Sequence, residues 1–494
     1  MQKGRRAGVL LHPTSLPGAG GIGTLGDNAR LFIDLLAGMG MTWWQILPLN
    51  PAACGNSPYS AFSAFAGNPL LIDLDTLVRE GDLPCQVYAE DSSADHVDFG
   101  SLIPAKTKTL HSAATAFFAS GRTARMEEFW HFCDTTPWLH NYALFMALKQ
   151  RYKGKSWHQW PSSVALLDAE TFEKTSIELG PEIGVQKYLQ WQFSRQWAHL
   201  RAYAAAQGIA IIGDIPIFVA YDSSDVWANR DIFLLDGHGK PTVMAGVPPD
   251  YFSETGQLWG NPHYDWDALA KRGYDWWVER FRYLFSQFDC IRVDHFRGFE
   301  AAWHVPAGHK TAAKGTWVAG PGRHLFDRLI SALGPLPIIA EDLGVITHEV
   351  EALRDNYGFP GMKILQFAFG SGPANAFLPH NHIKHCVVYT GTHDNDTSAG
   401  WYAGLSEKEQ CEVRDYLGSD GVGPSEDLTH LALMSVAETT IIPFQDLLGL
   451  STTARMNVPG RADGNWEWRF TWDMIDKEMQ WRFRHKLELF GRCR

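Results

Sequence analysis

The sequence contains no Cys-x-x-Cys pair, and its seven cysteines lie far apart, at 54, 85, 133, 290, 386, 411 and 493. An odd number at such spacing argues against a disulfide framework or a thiolate metal site and points to reduced thiols. No uninterrupted apolar run reaches the roughly 18 residues that a membrane-spanning helix needs. The amino end, MQKGRRAGVLLHPTSLPG, is basic and then apolar. Its run GVLL is too short for a signal peptide, and His12 and Pro13 end it. A cytoplasmic protein is expected. Positive charge is in deficit, with 43 Lys and Arg against 55 Asp and Glu and a net charge of −12 spread along the chain. That disfavours nucleic acid or an anionic membrane as partner and suits a neutral ligand. There is no phosphate-binding glycine turn, because G-A-G-G-I-G at 18–23 has the wrong spacing and opens no helix. No H-E-x-x-H or EF-hand loop exists either, so neither metal nor organic cofactor is called for. Short repeats, low-complexity tracts and charge blocks are missing too, which excludes a solenoid.

Tryptophan, by contrast, is abundant, with 20 residues. Most of any such set is core, yet as a group they suit a sugar binder. A pyranose has an apolar face that stacks on a flat ring, while its hydroxyls need polar partners. Eight short apolar runs recur along the chain: Gly8–Leu11, Trp43–Leu47, Ile209–Ile212, Cys290–Val293, Ile338–Ala340, Met362–Phe367, Cys386–Tyr389 and Thr440–Pro443. Runs of this kind fit strands buried on both faces of a parallel sheet. Helical patterns fill several gaps, at 27–39, 266–287, 322–333, 347–357, 406–417 and 425–436, and a closing helix is expected at 472–489. The spacing predicts an α/β protein, a (β/α)8 TIM barrel of a single catalytic domain over residues 1–494. About residues 70–205, between the second and third runs, are expected to form a large, mainly helical insertion at the barrel top.

Chemistry in such barrels sits at the C-terminal ends of the strands. The acids found there are Asp214 after the third run, Asp294 after the fourth, Glu341 and Asp342 after the fifth, and Asp394 and Asp396 after the seventh, beside His393. A lone buried carboxylate is costly, so each must be paired, bonded or functional. For Asp214 a structural pairing is the favoured reading. Four strand ends delivering acids to one rim point instead to a site. Glycoside-bond chemistry needs two carboxyl groups across the scissile bond, ~5–5.5 Å apart for retention. Asp294 and Glu341, on adjacent strands, can meet that demand as nucleophile and proton donor. Arg292, on the same face of its strand as Asp294, can keep that carboxylate ionised. Asp394 and His393 can bind hydroxyls and steady oxocarbenium-like charge.

Longer motifs surround these residues: R-A-G-V-L-L-H-P-T-S-L-P-G at the start, G-N-S-P-Y-S at 55–60 and G-D-I-P-I-F-V at 213–219. They continue with P-P-D-Y-F-S-E-T-G-Q-L-W-G-N-P at 248–262, R-V-D-H-F-R-G at 292–298 and A-E-D-L-G at 340–344. T-H-D-N at 392–395 and R-M-N-V-P-G…G-N-W-E-W-R at 455–469 complete the set. Together they carry a resemblance to the amylomaltases, 4-α-glucanotransferases related to the α-amylases. It implies a retaining transfer of α-1,4-glucan segments to the 4-hydroxyl of another glucan, maltooligosaccharide or glucose. The implied roles are Asp294 as nucleophile, Glu341 as acid/base and Asp394 as transition-state carboxylate, with Arg292 and His393 beside them. Tyr59 is implied as the stacking aromatic at the cleavage point. Ser57, Asp250, Gln257, Trp259 and Asn465 are implied along the glucan groove, with Phe367 a further substrate-side aromatic. His295 reads either as part of the site or as a satisfied structural histidine, the latter preferred. Residues of about 245–262 are implied to form a loop arching over the cleft. Gly370 departs from the pattern, since many relatives carry an acid there, and one hydrogen bond to the acceptor is implied to be missing. Two other readings stand beside this one. An α-amylase-type hydrolase would use the same acids and send the intermediate to water. A non-catalytic glucan-binding barrel would have lost an acid, yet both 294 and 341 are intact.

Overall fold

The computed structural model describes residues 4–53, 55–85, 95–121, 123–166, 168–249 and 253–494. Each of the eight apolar runs contributes a strand: β1 (Arg6–Leu10), β2 (Trp43–Gln45), β3 (Ala210–Pro216), β4 (Cys290–Asp294), β5 (Ile338–Ala340), β6 (Gly361–Ile364), β7 (Cys386–Tyr389) and β8 (Thr439–Pro443). All pair in parallel, in the order β6-β7-β8-β1-β2-β3-β4-β5. Alternate residues go to opposite sides. Leu10, Trp43, Ile212, Cys290, Ile339, Met362, Val387 and Ile441 form one cluster, with a contribution from every strand, which is the barrel interior. Their neighbours Val9, Trp44, Ile211, Ile291 and Ile338 pack outward against the helices. Burial on both faces is why these strands read as continuous apolar runs. Inside the barrel the Tyr389 hydroxyl of β7 donates to Gln45 Oε1 of β2 at 2.8 Å, satisfying both polar groups.

The seam between β5 and β6 is closed differently. The Ala340 amide donates to the Pro360 carbonyl at 3.0 Å. The Asp342 carboxylate accepts from the Met362 amide at 2.7 Å and pairs with Arg354. Gly361 makes this approach possible, because a Cβ there would lie 2.1 Å from an Asp342 oxygen. Asp342, one of the strand-end acids, is therefore spent on closing the barrel.

The expected helices are present with small changes of boundary. The 266–287 pattern is two helices, Trp266–Lys271 and Asp275–Gln287, broken where Gly273 and Tyr274 take positive φ. Between β2 and β3 the described residues form seven α-helices, the longest being Phe99–Ala119 and Gly180–Ala206. Buried Asp82 ties them together, accepting from Arg125 at 2.6 and 2.7 Å and from the Tyr188 hydroxyl at 2.7 Å. A second, antiparallel sheet stands beside the barrel rim. Its strands run in the order Gln257–Pro262, Val243–Val247, Ala301–Pro306, Thr316–Ala319. Much of the stretch read from the sequence as a cleft loop is thus strand. Fragments such as AGV and QLWGNP are too short and too broken by Gly and Pro to signal one; they become strand by pairing with each other, with 243–247 pairing in turn with the 301–306 strand.

Candidate active site

The strand register brings the acids together. Val293 and Ala340 are partners across β4 and β5, so Asp294 and Glu341, the next residues, leave adjacent strands side by side. Asp214 and Arg292 are partners across β3 and β4. Arg292 is the hub. Its guanidinium donates to both Asp214 oxygens at 2.9 and 2.7 Å and reaches Asp294 Oδ1 at 3.0 Å. The Tyr59 hydroxyl gives Asp214 a further bond at 2.8 Å. Asp214 is thereby fully engaged in a buried pairing.

Glu341 is held by backbone. One oxygen accepts from the Leu343 amide at 2.8 Å and the other from the His295 amide at 2.7 Å. The second bond requires His295 to adopt left-handed backbone, φ 51°. Such a conformation costs energy in a non-glycine residue and recurs where function demands it. Burial raises the pKa of Glu341, while Arg292 and the two amides pull it back. Burial also pushes Asp294 up, to about 8, with Asp214, Glu341 and Asp394 adding to the rise and Arg292 opposing it. Two acids beside one guanidinium cannot both be comfortable as anions. The pair retains a proton well above the ordinary carboxylate range.

Asp394 lies past β7 and is half exposed. It accepts from the Asn457 amide at 2.6 Å, and Arg455 donates to its carbonyl at 2.7 Å. His393 Nε2 is 3.5 Å from its other oxygen. The His393 ring is buried and stacks on Tyr59, with centroids 5.1 Å apart and 15° between planes. Burial lowers its pKa, while the Asp394 carboxylate opposes the fall.

Trp259 and Phe367 are open to solvent, at 39% and 37% exposure. Trp259 meets the His295 ring edge-on at 4.9 Å and donates to Gln257 at 3.3 Å, so Gln257, Trp259 and His295 are contiguous. Among the described residues the buried His295 Nε2 has no hydrogen-bond partner, so none of them supplies the contact that a satisfied structural histidine would have, and burial drops its pKa to about 3. Ser57 shapes the turn before Tyr59, its hydroxyl accepting from the Tyr59 amide at 3.3 Å. Asn465, expected along the groove, is buried, and its amide is occupied inside its own loop. It accepts from the Val458 amide at 2.9 Å and donates to the Arg461 carbonyl at 2.8 Å. Asp250 lies outside the described residues. Gly370 has φ 88° with no atom near an added Cβ, so a side chain there would face open space from strained backbone. Sequence reasoning missed Asn457 and Arg455 as partners of Asp394. They belong to the R-M-N-V-P-G motif, but nothing local links residues so far apart in the chain.

A parallel eight-stranded barrel whose C-terminal rim gathers ionisable carboxyls, a buried guanidinium and exposed aromatic rings defines a sugar-processing enzyme of the glycoside-bond class. Residues 11–475 match the family described as 4-alpha-glucanotransferase. The 4-alpha-glucanotransferase of Synechocystis sp. is 49% identical over 99% of this chain and 98% of its own length, and that of Thermus thermophilus 48% over 95% of each. An amylomaltase from Streptococcus agalactiae in complex with acarbose superposes with a TM-score of 0.96 at 36% identity, covering 99% of this chain and 100% of that one. The chain belongs to the 4-alpha-glucanotransferase family and is a glycosyltransferase of that activity. Among the described residues no helix is long and apolar enough to cross a membrane.

Proposed function

We propose that the transfer proceeds by retaining double displacement, with Asp294 as nucleophile and Glu341 as acid and base. The carrying observation is the side-by-side exit of these two residues from β4 and β5, with Arg292 touching only the first. Both acids have raised pKa values, so the division of labour rests on contacts. Asp294 has a cation at 3.0 Å, whereas Glu341 has amide donors and no ion pair among the described residues. The charged contact favours the anion at Asp294 and leaves the shared proton to Glu341. Asp294 attacks the anomeric carbon and the departing 4-oxygen takes the Glu341 proton. A second glucan 4-hydroxyl then gives its proton to Glu341 as it displaces Asp294. Asp394, fixed by Asn457 and Arg455, binds ring hydroxyls and supports oxocarbenium character. Tyr59, Trp259 and Phe367 supply apolar faces for the sugar rings, and Ser57, Gln257, His393 and Asn465 complete the groove directly or through its loops. The substrates are α-1,4-glucans and maltooligosaccharides, with glucose among the acceptors. Six free cysteines among the described residues suit a reducing compartment, the cytoplasm.

Glu341→Gln removes an acid worth roughly 10²–10⁴-fold. A glycosyl fluoride needs no proton on its leaving group, so it should still glycosylate Asp294 in this variant. Deglycosylation lacks its base, and the adduct should accumulate and be seen by peptide mass spectrometry at Asp294. No adduct, or one on another residue, removes the assignment.

A further inference from the structure

One aromatic residue near the site plays no part in the chemistry above. Trp317 lies on the edge strand Thr316–Ala319, all four residues of which are exposed. The Arg297 guanidinium covers one ring face, its Cζ 3.7 Å from the centroid. Trp303, its cross-strand partner, meets it edge-on at 5.3 Å. Arg297 is itself buried and donates to the Val345 carbonyl. The indole is therefore braced by a guanidinium on one face and by a second ring, yet Trp317 remains 39% exposed, with Val318 at 39% and Val345 at 55%. A surface ring that merely shielded Arg297 would need no second support from Trp303. A ring that must meet a ligand profits from being held still, because the rotamer entropy is then lost on folding and not on binding. The clamp is also continuous with the site. Arg297 belongs to the short helix Phe296–Phe299 that follows Asp294, and Val345 to the loop that follows Glu341.

We propose that Trp317 is a stacking platform for a pyranose of the glucan chain outside the cleavage point, on the side of the Glu341 loop. It gives the enzyme a preference for long chains over short ones. The occupant is the α-1,4-glucan that the same rim already handles, because an uncharged flat indole matches the apolar face of glucose. This rests on the glucan-transfer activity, not on the roles assigned to the two acids.

The test uses the full-length Asp294→Asn protein, which cannot turn substrate over during titration. Binding of maltotriose through maltoheptaose is measured by calorimetry with and without Trp317→Ala. The loss should grow with chain length and reach roughly three- to ten-fold in Kd for maltoheptaose, the size of one aromatic contact. Trp317→Phe should recover most of it, and Arg297→Lys, which unclamps the ring without removing it, should weaken long chains in the same sense. An equal loss at every length, or none, overturns the platform. If the Asp294→Asn protein binds no glucan of any length, the substrate reading fails instead, before Trp317 is tested.

Discussion

At the scale of single residues, the site is governed by how much negative charge one guanidinium can hold. Arg292 serves Asp214 with two bonds and Asp294 with one, and the buried Asp214 is the better satisfied. Asp214 thus adds its charge to the rise that burial imposes on Asp294. Turnover needs one proton on the pair, held by Glu341, whose pKa burial raises, so the rate should fall as pH rises through the range where that proton leaves. In Asp214→Asn an anion that raises Asp294 disappears, and Arg292 turns more fully to Asp294. Both changes stabilise the doubly ionised pair. The alkaline limb of kcat/KM should therefore move to lower pH, and a limb that stays or rises contradicts this account of Asp214. Tyr59 acts on the same hub. Tyr59→Phe keeps the ring on His393 but removes the 2.8 Å bond to Asp214, a buried charged contact worth about 1.5–3 kcal/mol. Loss of stability of that size should appear in urea titration, with kcat falling as Asp214 and Arg292 loosen.

At the scale of elements, two segments carry rings and amides to the rim, and neither was fully legible in the sequence. The strand Gln257–Pro262 presents Trp259 against His295. Its motif marked it as important, but its strand character comes from pairing with Val243–Val247 and, through that strand, with Ala301–Pro306, which no local pattern announces. Once Asp294 carries a glycosyl chain, water competes with the acceptor, and transfer wins only if the acceptor is held in attack geometry. Trp259→Ala should raise hydrolysis relative to transfer, read as glucose and shortened chains against longer ones, with little change in Tm for so open a residue. An unchanged ratio with a lower overall rate would make Trp259 scaffold. The second segment is the 455–466 loop. From the sequence Asn465 was expected to face the groove, whereas its buried amide braces Val458 and Arg461. The same loop carries Asn457 onto Asp394. Asn465→Ala should consequently act at a distance: faster amide exchange across 457–465 and a lower kcat through a less constrained Asp394. A change confined to KM would favour direct contact with sugar instead.

At the scale of the molecule, the barrel was legible because each strand is buried on both faces and the acids fall at strand ends, features that survive in a linear sequence. What was not legible is how the circle closes. Seven of the eight strand junctions are parallel ladders, while the eighth, between β5 and β6, rests on one backbone bond and on Asp342. Among the acids, Glu341 and Asp342 are neighbours with opposite fates, one turned to the site and one to the seam, and adjacency in sequence could not tell them apart. The seam and the site are therefore mechanically joined. Gly361→Ala tests this join. Its Cβ would have to sit 2.1 Å from the Asp342 oxygen, so the carboxylate must swing away, abandoning the Met362 amide and disturbing Arg354. Leaving a buried donor and a buried charge poorly paired should cost on the order of 3–5 kcal/mol, enough to lower Tm by several degrees. Glu341 sits directly before Asp342, and its two amide bonds depend on the same backbone. Activity should fall at temperatures where circular dichroism still shows a folded barrel, and the Glu341-dependent alkaline limb should change with it. Asp342→Asn, which keeps the amide acceptor but drops the charge, should be milder on both counts. If Gly361→Ala lowers Tm yet leaves kcat and its pH profile intact below the melt, the seam is a stability feature only and Glu341 is positioned independently of it.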